Sequence, residues 1–364
     1  MRALIDAGAD VDAQTREGRV SALHLGASRG QEEVVELLIS KGADLALEDK
    51  DGATPLHRAV LRKHVGVVSL LAKRGGASLV NTKGGTDGST ALHVAVATGS
   101  LPVVSALLEA GASMEVRTAE GDTALVLAAK LGKAAAAKRL LEHGASGHAA
   151  DKEGNTPLHL ASQLGQIDTV RALSQPDGAP LEVREHTRGF TPLHLAATHG
   201  HVAAATALIA RGAAVDNAAP KDGVTPLIQA VVHGHFDVVS LLLDHGADIN
   251  AQAAGPMGVN FCTPMHYAVL LDKVEMAKRL LRDGLPDLAA DSSMGSPVGI
   301  ALKFGRSDFI ELLCTLDYAT CKEEEQKLMT MAKAQQHGGG VQAQGLHTEL
   351  AYDVNVVEDD DDDD

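Results

Sequence analysis

Histidine is the residue type in this 364-residue chain best suited to chemistry: there are 17, and a neutral imidazole can ligate a metal or act as a general base. The sharpest grouping is His199-Gly200-His201 with His233-Gly234-His235, two triplets 34 residues apart. A chain that returned to the same place every 34 residues would align four imidazoles along one edge, which is ligand chemistry for zinc or copper. Six more histidines (His24, His57, His93, His159, His194 and His266) each close a four-residue block that starts with Ser or Thr. There is no Gly-rich phosphate loop, no Gly-x-Ser-x-Gly elbow, no His-Glu-x-x-His and no Cys-x-x-Cys. Three cysteines, Cys262, Cys314 and Cys321, are too few and too unevenly spaced for a disulfide framework or a zinc site, and they point to a reducing compartment. These signs together predict a protein that is not an enzyme and needs neither cofactor nor metal.

What positions those histidines is a repeat. The block runs Ser21-Ala-Leu-His24, Thr54-Pro-Leu-His57, Thr90-Ala-Leu-His93, Thr123-Ala-Leu-Val126, Thr156-Pro-Leu-His159, Thr191-Pro-Leu-His194, Thr225-Pro-Leu-Ile228, Thr263-Pro-Met-His266 and Ser296-Pro-Val-Gly299, in steps of 33 to 38 residues. A second series, Gly-Ala at Gly8, Gly42, Gly76, Gly111, Gly144, Gly178, Gly212 and Gly246 and then Gly284-Leu285, keeps the same period. Thr or Ser before Pro is a helix start, with the hydroxyl as cap and Pro at the first helical position. A short helix with a small Ala pair follows, then a second helix carrying a Leu pair such as Leu70-Leu71 or Leu242-Leu243. The Gly of the Gly-Ala mark would end it as a left-handed cap, and Asp-x-x-Gly stretches such as 49–52 and 151–154 supply turns.

The pattern Gly-x-Thr-Pro-Leu-His-x-Ala-Ala-x-x-Gly-His, followed by Val-Val-x-x-Leu-Leu-x-x-Gly-Ala-Asp-Val-Asp, resembles the ankyrin repeat over about residues 1–317. The resemblance implies an all-α helical-repeat fold, a curved solenoid of helix-turn-helix units with short β-hairpin fingers, whose stability is nearly a nearest-neighbour sum. It also implies that the block histidine braces its turn by hydrogen bonding, and that Gly-His is ordinary consensus rather than a metal edge. Residues 1–13 match only the second half of a repeat, which suggests a fragment with a soft exposed end. Extra residues fall near Gly84-Gly85, Glu185-His186 and 254–258. The last repeat, 296–317, is degenerate, and 318–336 reads as a capping helix with Glu323 and Lys327 at helical spacing.

Composition agrees with a thin, extended core: 45% hydrophobic residues but only 2% aromatic, with no Trp. The net charge of −16 is lopsided, −9 over residues 318–364 against −7 over the rest, which argues against nucleic acid and anionic membranes as partners. No run approaches the roughly 18 apolar residues of a membrane span, and no signal peptide opens the chain. A soluble monomer in the cytoplasm, with the nucleus open, is the expectation.

Function is therefore sought on the surface, as a non-catalytic scaffold or adaptor for an unspecified protein partner. The concave face of such a solenoid is lined by finger tips and by the positions just after each block, which hold Arg58, Arg62, Lys130, Gln163, Phe190, His199, Gln229, His233, Tyr267 and Phe304. Arg and Tyr are favoured at interface hot spots. The alternative seat of binding is the tail. Residues 337–364 read as a disordered acidic tail, a linker-like stretch followed by Val354, Val356, Val357, Glu358 and Asp359 and more Asp to 364. This resembles the motif that binds the small ubiquitin-like modifier, an extended Val-rich strand with acids for a basic rim, and it could equally attract a basic nuclear protein.

Overall fold

The computed structural model describes residues 7–175, 178–254, 260–284 and 286–337. Among them, eighteen helices form nine inner-outer pairs: Ala22–Ser28 with Glu32–Ser40, Pro55–Leu61 with Val65–Val80, Ala91–Ala97 with Leu101–Glu109, Ala124–Lys130 with Ala134–Glu142, and Pro157–Gln163 with Ile167–Leu173. Then come Pro192–Thr198 with Val202–Ala210, Pro226–His233 with Phe236–Asp244, Pro264–Leu270 with Val274–Asp283, and Pro297–Lys303 with Ser307–Leu316. These pairs are repeats 1 to 9 below.

Each inner helix starts where its block dictates. The Ser or Thr preceding it has extended φ and ψ, as at Thr54 (−81°, 166°), and Pro occupies the first turn in repeats 2, 5, 6, 7, 8 and 9. The third block residue is the core: Leu23, Leu56, Leu92, Leu125, Leu158, Leu193, Leu227, Met265 and Val298 are all buried. Small residues later in the inner helix, such as Ala128-Ala129 and Ala196-Ala197, are also buried, so neighbouring helices can approach closely. The core is mostly aliphatic, with Phe309 in the last outer helix as its largest fully buried side chain.

The fingers differ from the expected hairpins. Only one forms a two-stranded antiparallel ladder among the described residues, Lys83–Gly84 with Ser89–Thr90, at the first of the three insertions. Elsewhere the fingers are turns joined to their neighbours by backbone bonds: Lys50 N–H to Gly18 O, Gly85 to Gly52 O, Ala119 to Asp87 O, and Ala254 to Asp222 O, from 2.6 to 3.1 Å. The Gly-Ala mark also varies. Gly42, Gly111, Gly144, Gly212 and Gly246 hold positive φ as predicted, whereas Gly284 is extended (φ −158°) and Gly76 lies at a kink inside Val65–Val80.

The C-terminal helix Tyr318–His337 packs on the last repeat, and Glu324 rather than Glu323 pairs with Lys327 (2.8 Å). Gly299 stands where the block histidine would, and the Glu324 carboxylate of the C-terminal helix lies over it, 2.6 Å from where a Cβ would stand. The cysteine reading needs correction. Cys314 and Cys321 form a disulfide that ties the last outer helix to the capping helix, and the buried Cys262 stands outside it. Spacing in sequence hid it because the bend at Asp317 folds two helices back on each other.

Candidate functional site

Six block histidines form a ladder along the stack. In each, Nδ1 lies 2.8–2.9 Å from the hydroxyl of the Ser or Thr that opens the block, and Nε2 lies 3.0–3.2 Å from a backbone carbonyl in the next repeat. Those carbonyls belong to Ala53, Ser89, Asp122, Phe190, Val224 and Gly295. A carbonyl only accepts, so Nε2 carries the proton and Nδ1 accepts. The neutral ring is the functional one, and burial holds all six pKa values below the ordinary 6.5; for His194 burial, with Arg184 and His159 adding to it, brings the value to about 4. This is the bracing role that the resemblance implies.

The His-Gly-His triplets belong to a second ladder running the other way. His64, His201 and His235 each place Nε2 2.8–3.0 Å from the carbonyl near the end of the preceding inner helix, those of Ser28, Gln163 and Thr198; Gln166 and Arg306 do the same to Lys130 O and Leu270 O. These contacts satisfy helix-end carbonyls that would otherwise lack partners. The rings pair within triplets, with centroids 6.2 Å apart in both. Among the described residues no group of three or more His, Cys, Asp or Glu is placed to hold a metal ion.

The predicted binding residues fall into two sets. Counting from the Ser or Thr of each block, positions 5, 8 and 9 share one helical face, and Arg58, Arg62, Lys130, Gln163, His199, Gln229, His233, Tyr267 and Phe304 all lie on it. Arg62, His199 and His233 are exposed; Arg58, Lys130, Gln163 and Phe304 are half-buried. Two of these cations are held in place by their own finger. Arg58 bonds Asp49 (2.6 Å from Nε) and Asp51 (2.7 Å), and Lys130 bonds Asp122 (2.9 Å). Burial would raise the Asp49 pKa, but the Ala53 N–H and Arg58 outweigh it and keep the carboxylate charged.

Three of the ten are not surface groups. Phe190, Gln229 and Tyr267 are 3–6% exposed. Phe190 stacks on the His194 ring (5.0 Å, 3° between planes) under the Arg188 guanidinium. The Gln229 Oε1 accepts from Thr198 Oγ1 (3.2 Å), and the Tyr267 hydroxyl donates to Ala254 O (2.5 Å) in the finger of repeat 8. The tail residues Val354, Val356, Val357, Glu358 and Asp359 lie outside the described residues, as do 255–259 of the third insertion.

What the sequence reading missed is leucine. Leu25, Leu61, Leu131 and Leu164 stand on the same inner-helix face, each 43–51% exposed. Their positions, 5, 8 and 9, are the signal that separates them from the buried third-position leucines. Together with Arg62 and the held pairs at Arg58 and Lys130, they make a face of aliphatic patches rimmed by cations.

The same repeats are found by comparison with known proteins. A model described as ankyrin repeats (3 copies) matches residues 1–83, 23–118, 92–185 and 178–253, and one described as ankyrin repeats (many copies) matches 227–281. The chain belongs to the ankyrin repeat family. It is similar to the serine/threonine-protein kinase 12 of Arabidopsis thaliana, 35% identical over 75 residues, 21% of this chain and 16% of the kinase. It also resembles the human inhibitor of Bruton tyrosine kinase, 41% identical over 66 residues, 18% of this chain and 5% of that protein. Across the curated relatives it matches, the chain spans 5–16% of their length, and the matches to enzymes are to their repeat regions. Among solved structures, the ankyrin repeat domain of Bcl-3, a member of the IkappaB protein family, aligns with TM-score 0.53 and 31% identity, over 59% of this chain and 94% of that one. Ankyrin repeats generally mediate protein-protein interaction and are typically non-catalytic. No helix among the described residues is long and apolar enough to cross a membrane.

Proposed function

We propose that this chain is a non-catalytic scaffold or adaptor that binds a partner protein through the inner-helix face and the fingers beside it. The observation that carries this reading is the exposure of Leu61, Leu131 and Leu164, at 48%, 44% and 51%, at the ends of inner helices whose block leucines, Leu56, Leu125 and Leu158, are buried. Exposed aliphatics beside anchored cations are what an interface needs: apolar anchors with a charged rim. The seven surface residues of the predicted set border the same face, so the partner contacts several repeats at once.

The test is a double charge substitution, Leu131→Asp with Leu164→Asp, compared with Lys138→Glu on an outer helix. Both leucines are already half in water, so unfolding should shift little. A partner captured by the wild type and by the outer-helix variant, but lost with the leucine variant, supports the reading. Equal capture by all three would move the interface off this face.

A further inference from the structure

We propose that the Cys314–Cys321 pair is a thiol-exchange site: a small thiol of the glutathione class reduces it, and the capping helix is docked while the pair is closed and released when it opens. The inference stands on the C-terminal end of the stack and is independent of the inner-helix face. The two cysteines are seven positions apart in sequence, with Cα atoms 5.3 Å apart, on either side of Asp317. The φ and ψ of Asp317, −135° and 78°, break the helical path between Ser307–Leu316 and Tyr318–His337. The disulfide therefore spans a bend, and what it fixes is the angle between the last outer helix and the cap.

Little else holds the cap. Over residues 319–330 Cys321 is the one buried residue, at 5% exposure; Thr320, Glu324 and Leu328 are half-buried and the other eight are exposed. Cys321, Glu324 and Leu328 recur at helical spacing and so share one face. The middle of that face is a carboxylate, laid over Gly299 of the inner helix Pro297–Lys303, and a carboxylate is costly to bury; its ion pair, with Lys327 at 2.8 Å, lies within its own helix. By contrast, the outer helix Phe236–Asp244 buries Val238, Val239 and Leu242 within nine residues. Burial on the scale of one cysteine and one half-covered leucine supplies too little to offset the ordering of twelve residues. The covalent tie decides whether the cap stays down.

The chemistry is a two-electron exchange. Cys314 is half-buried where Cys321 is buried, so attack falls on Cys314 Sγ. The incoming thiolate breaks the Sγ–Sγ bond and forms a mixed disulfide on Cys314, while Cys321 leaves with the electron pair and takes up the proton that the attacking thiol gave to water. A second small thiol attacks the sulfur of the first, which yields the oxidised small disulfide and the Cys314 thiol. Two electrons have then passed from two small thiols to the pair, and the reverse sequence closes it. Opening turns Asp317 into a hinge and uncovers Gly299, at the position from which block histidines elsewhere reach the next repeat.

The experiment follows the full oxidised chain through reduction by about 10 mM reduced glutathione, with maleimide labelling to count open thiols and hydrogen exchange to read the cap. Two labels should appear, on Cys314 and Cys321, while the wholly buried Cys262 stays unlabelled. Exchange over residues 318–330 should rise about thirtyfold, the equivalent of about 2 kcal/mol, with repeats 1 to 5 unchanged. Oxidised glutathione should reverse both readings. A double variant, Cys314→Ser with Cys321→Ser, should exchange at the reduced rate in either buffer. A pair that stays closed in glutathione, or that opens with exchange over 318–330 unchanged, would overturn the proposal. So would a double variant that exchanges as slowly as the oxidised wild type.

Discussion

Replacing His194 with Gln tests the neutral ladder most directly. At neutral pH the substitution disturbs a buried side chain with two partners, Thr191 Oγ1 at 2.9 Å and Val224 O at 3.0 Å, and leaves that carbonyl poorly satisfied, which costs about 1–3 kcal/mol. The sharper consequence is in pH. The folded His194 pKa of about 4 lies below its ordinary 6.5, so above pH 6.5 the ring is neutral in both states and its contribution is complete. As pH falls from 6.5 to 4 the unfolded chain takes up a proton that the folded chain refuses, and stability drops by about 1.4 kcal/mol per pH unit. Over the whole window His194 accounts for about 3 kcal/mol. His24, His57, His93, His159 and His266 are shifted the same way and steepen the fall. Denaturant midpoints for wild type and His194→Gln, measured from pH 7.5 to pH 4, should converge or cross, with the difference closing by about 3 kcal/mol. Imidazole titration by NMR should place His194 near pH 4. A stability difference that stays constant across the window, or a titration near 6.5, would refute the assignment of a buried neutral brace.

Three further outcomes are expected. Glu185→Gln should cost about 2 kcal/mol at neutral pH: burial opposes ionisation, yet the Phe190, Thr187 and Arg188 donors bring the pKa to about 2, and solvent at the finger trims the full effect. That penalty is complete above pH 4.5 and should fade as pH falls toward 2, as urea unfolding at pH 7 and pH 3 would show. Gly144→Val should cost about 1–2 kcal/mol through backbone strain alone, because φ is 88° and no heavy atom lies within 4 Å of where a Cβ would stand; an unchanged thermal midpoint would contradict the left-handed cap. Cys314→Ser should loosen the capping helix by about 2 kcal/mol, seen as faster hydrogen exchange over residues 318–330 with repeats 1 to 5 unaffected.

Much of this architecture is written in the sequence because each repeat restates it. Thr54-Pro55-Leu56-His57 specifies a cap, a first turn, a core contact and a brace within four residues, and the structure uses each as its chemistry suggests. What escaped reading depends on neighbours. Tyr267 and Gln229 occupy the same helical position as Arg58, yet they are buried and bonded to Ala254 and Thr198 of neighbouring elements, and no local pattern announces that. Leu131 and Leu164 were hidden by their residue type, since leucine suggests core until its helical phase is counted. The Cys314–Cys321 pair was hidden because it depends on how two helices fold back across Asp317.

The histidine ladder has gaps, and the gaps divide the molecule. Val126 and Ile228 stand where repeats 4 and 7 would carry a brace, so the braced runs are repeats 1 to 4, 5 to 7 and 8 to 9. At the first seam no buried imidazole crosses; Gln166 reaches Lys130 O (3.2 Å), and the fingers are joined by Lys152 to Ala119 O (2.9 Å) and Arg117 to Ala150 O. At the second, the fingers stay joined by Ala254 N–H to Asp222 O (2.6 Å), and on the outer side Arg279 Nε bonds Ser240 Oγ (2.6 Å). Under load, or while a large partner is being accommodated, the stack should yield at these two joints and behave as three stiff segments, with the leucine-rich face straddling the first joint and the imidazole-rich end closing on the second.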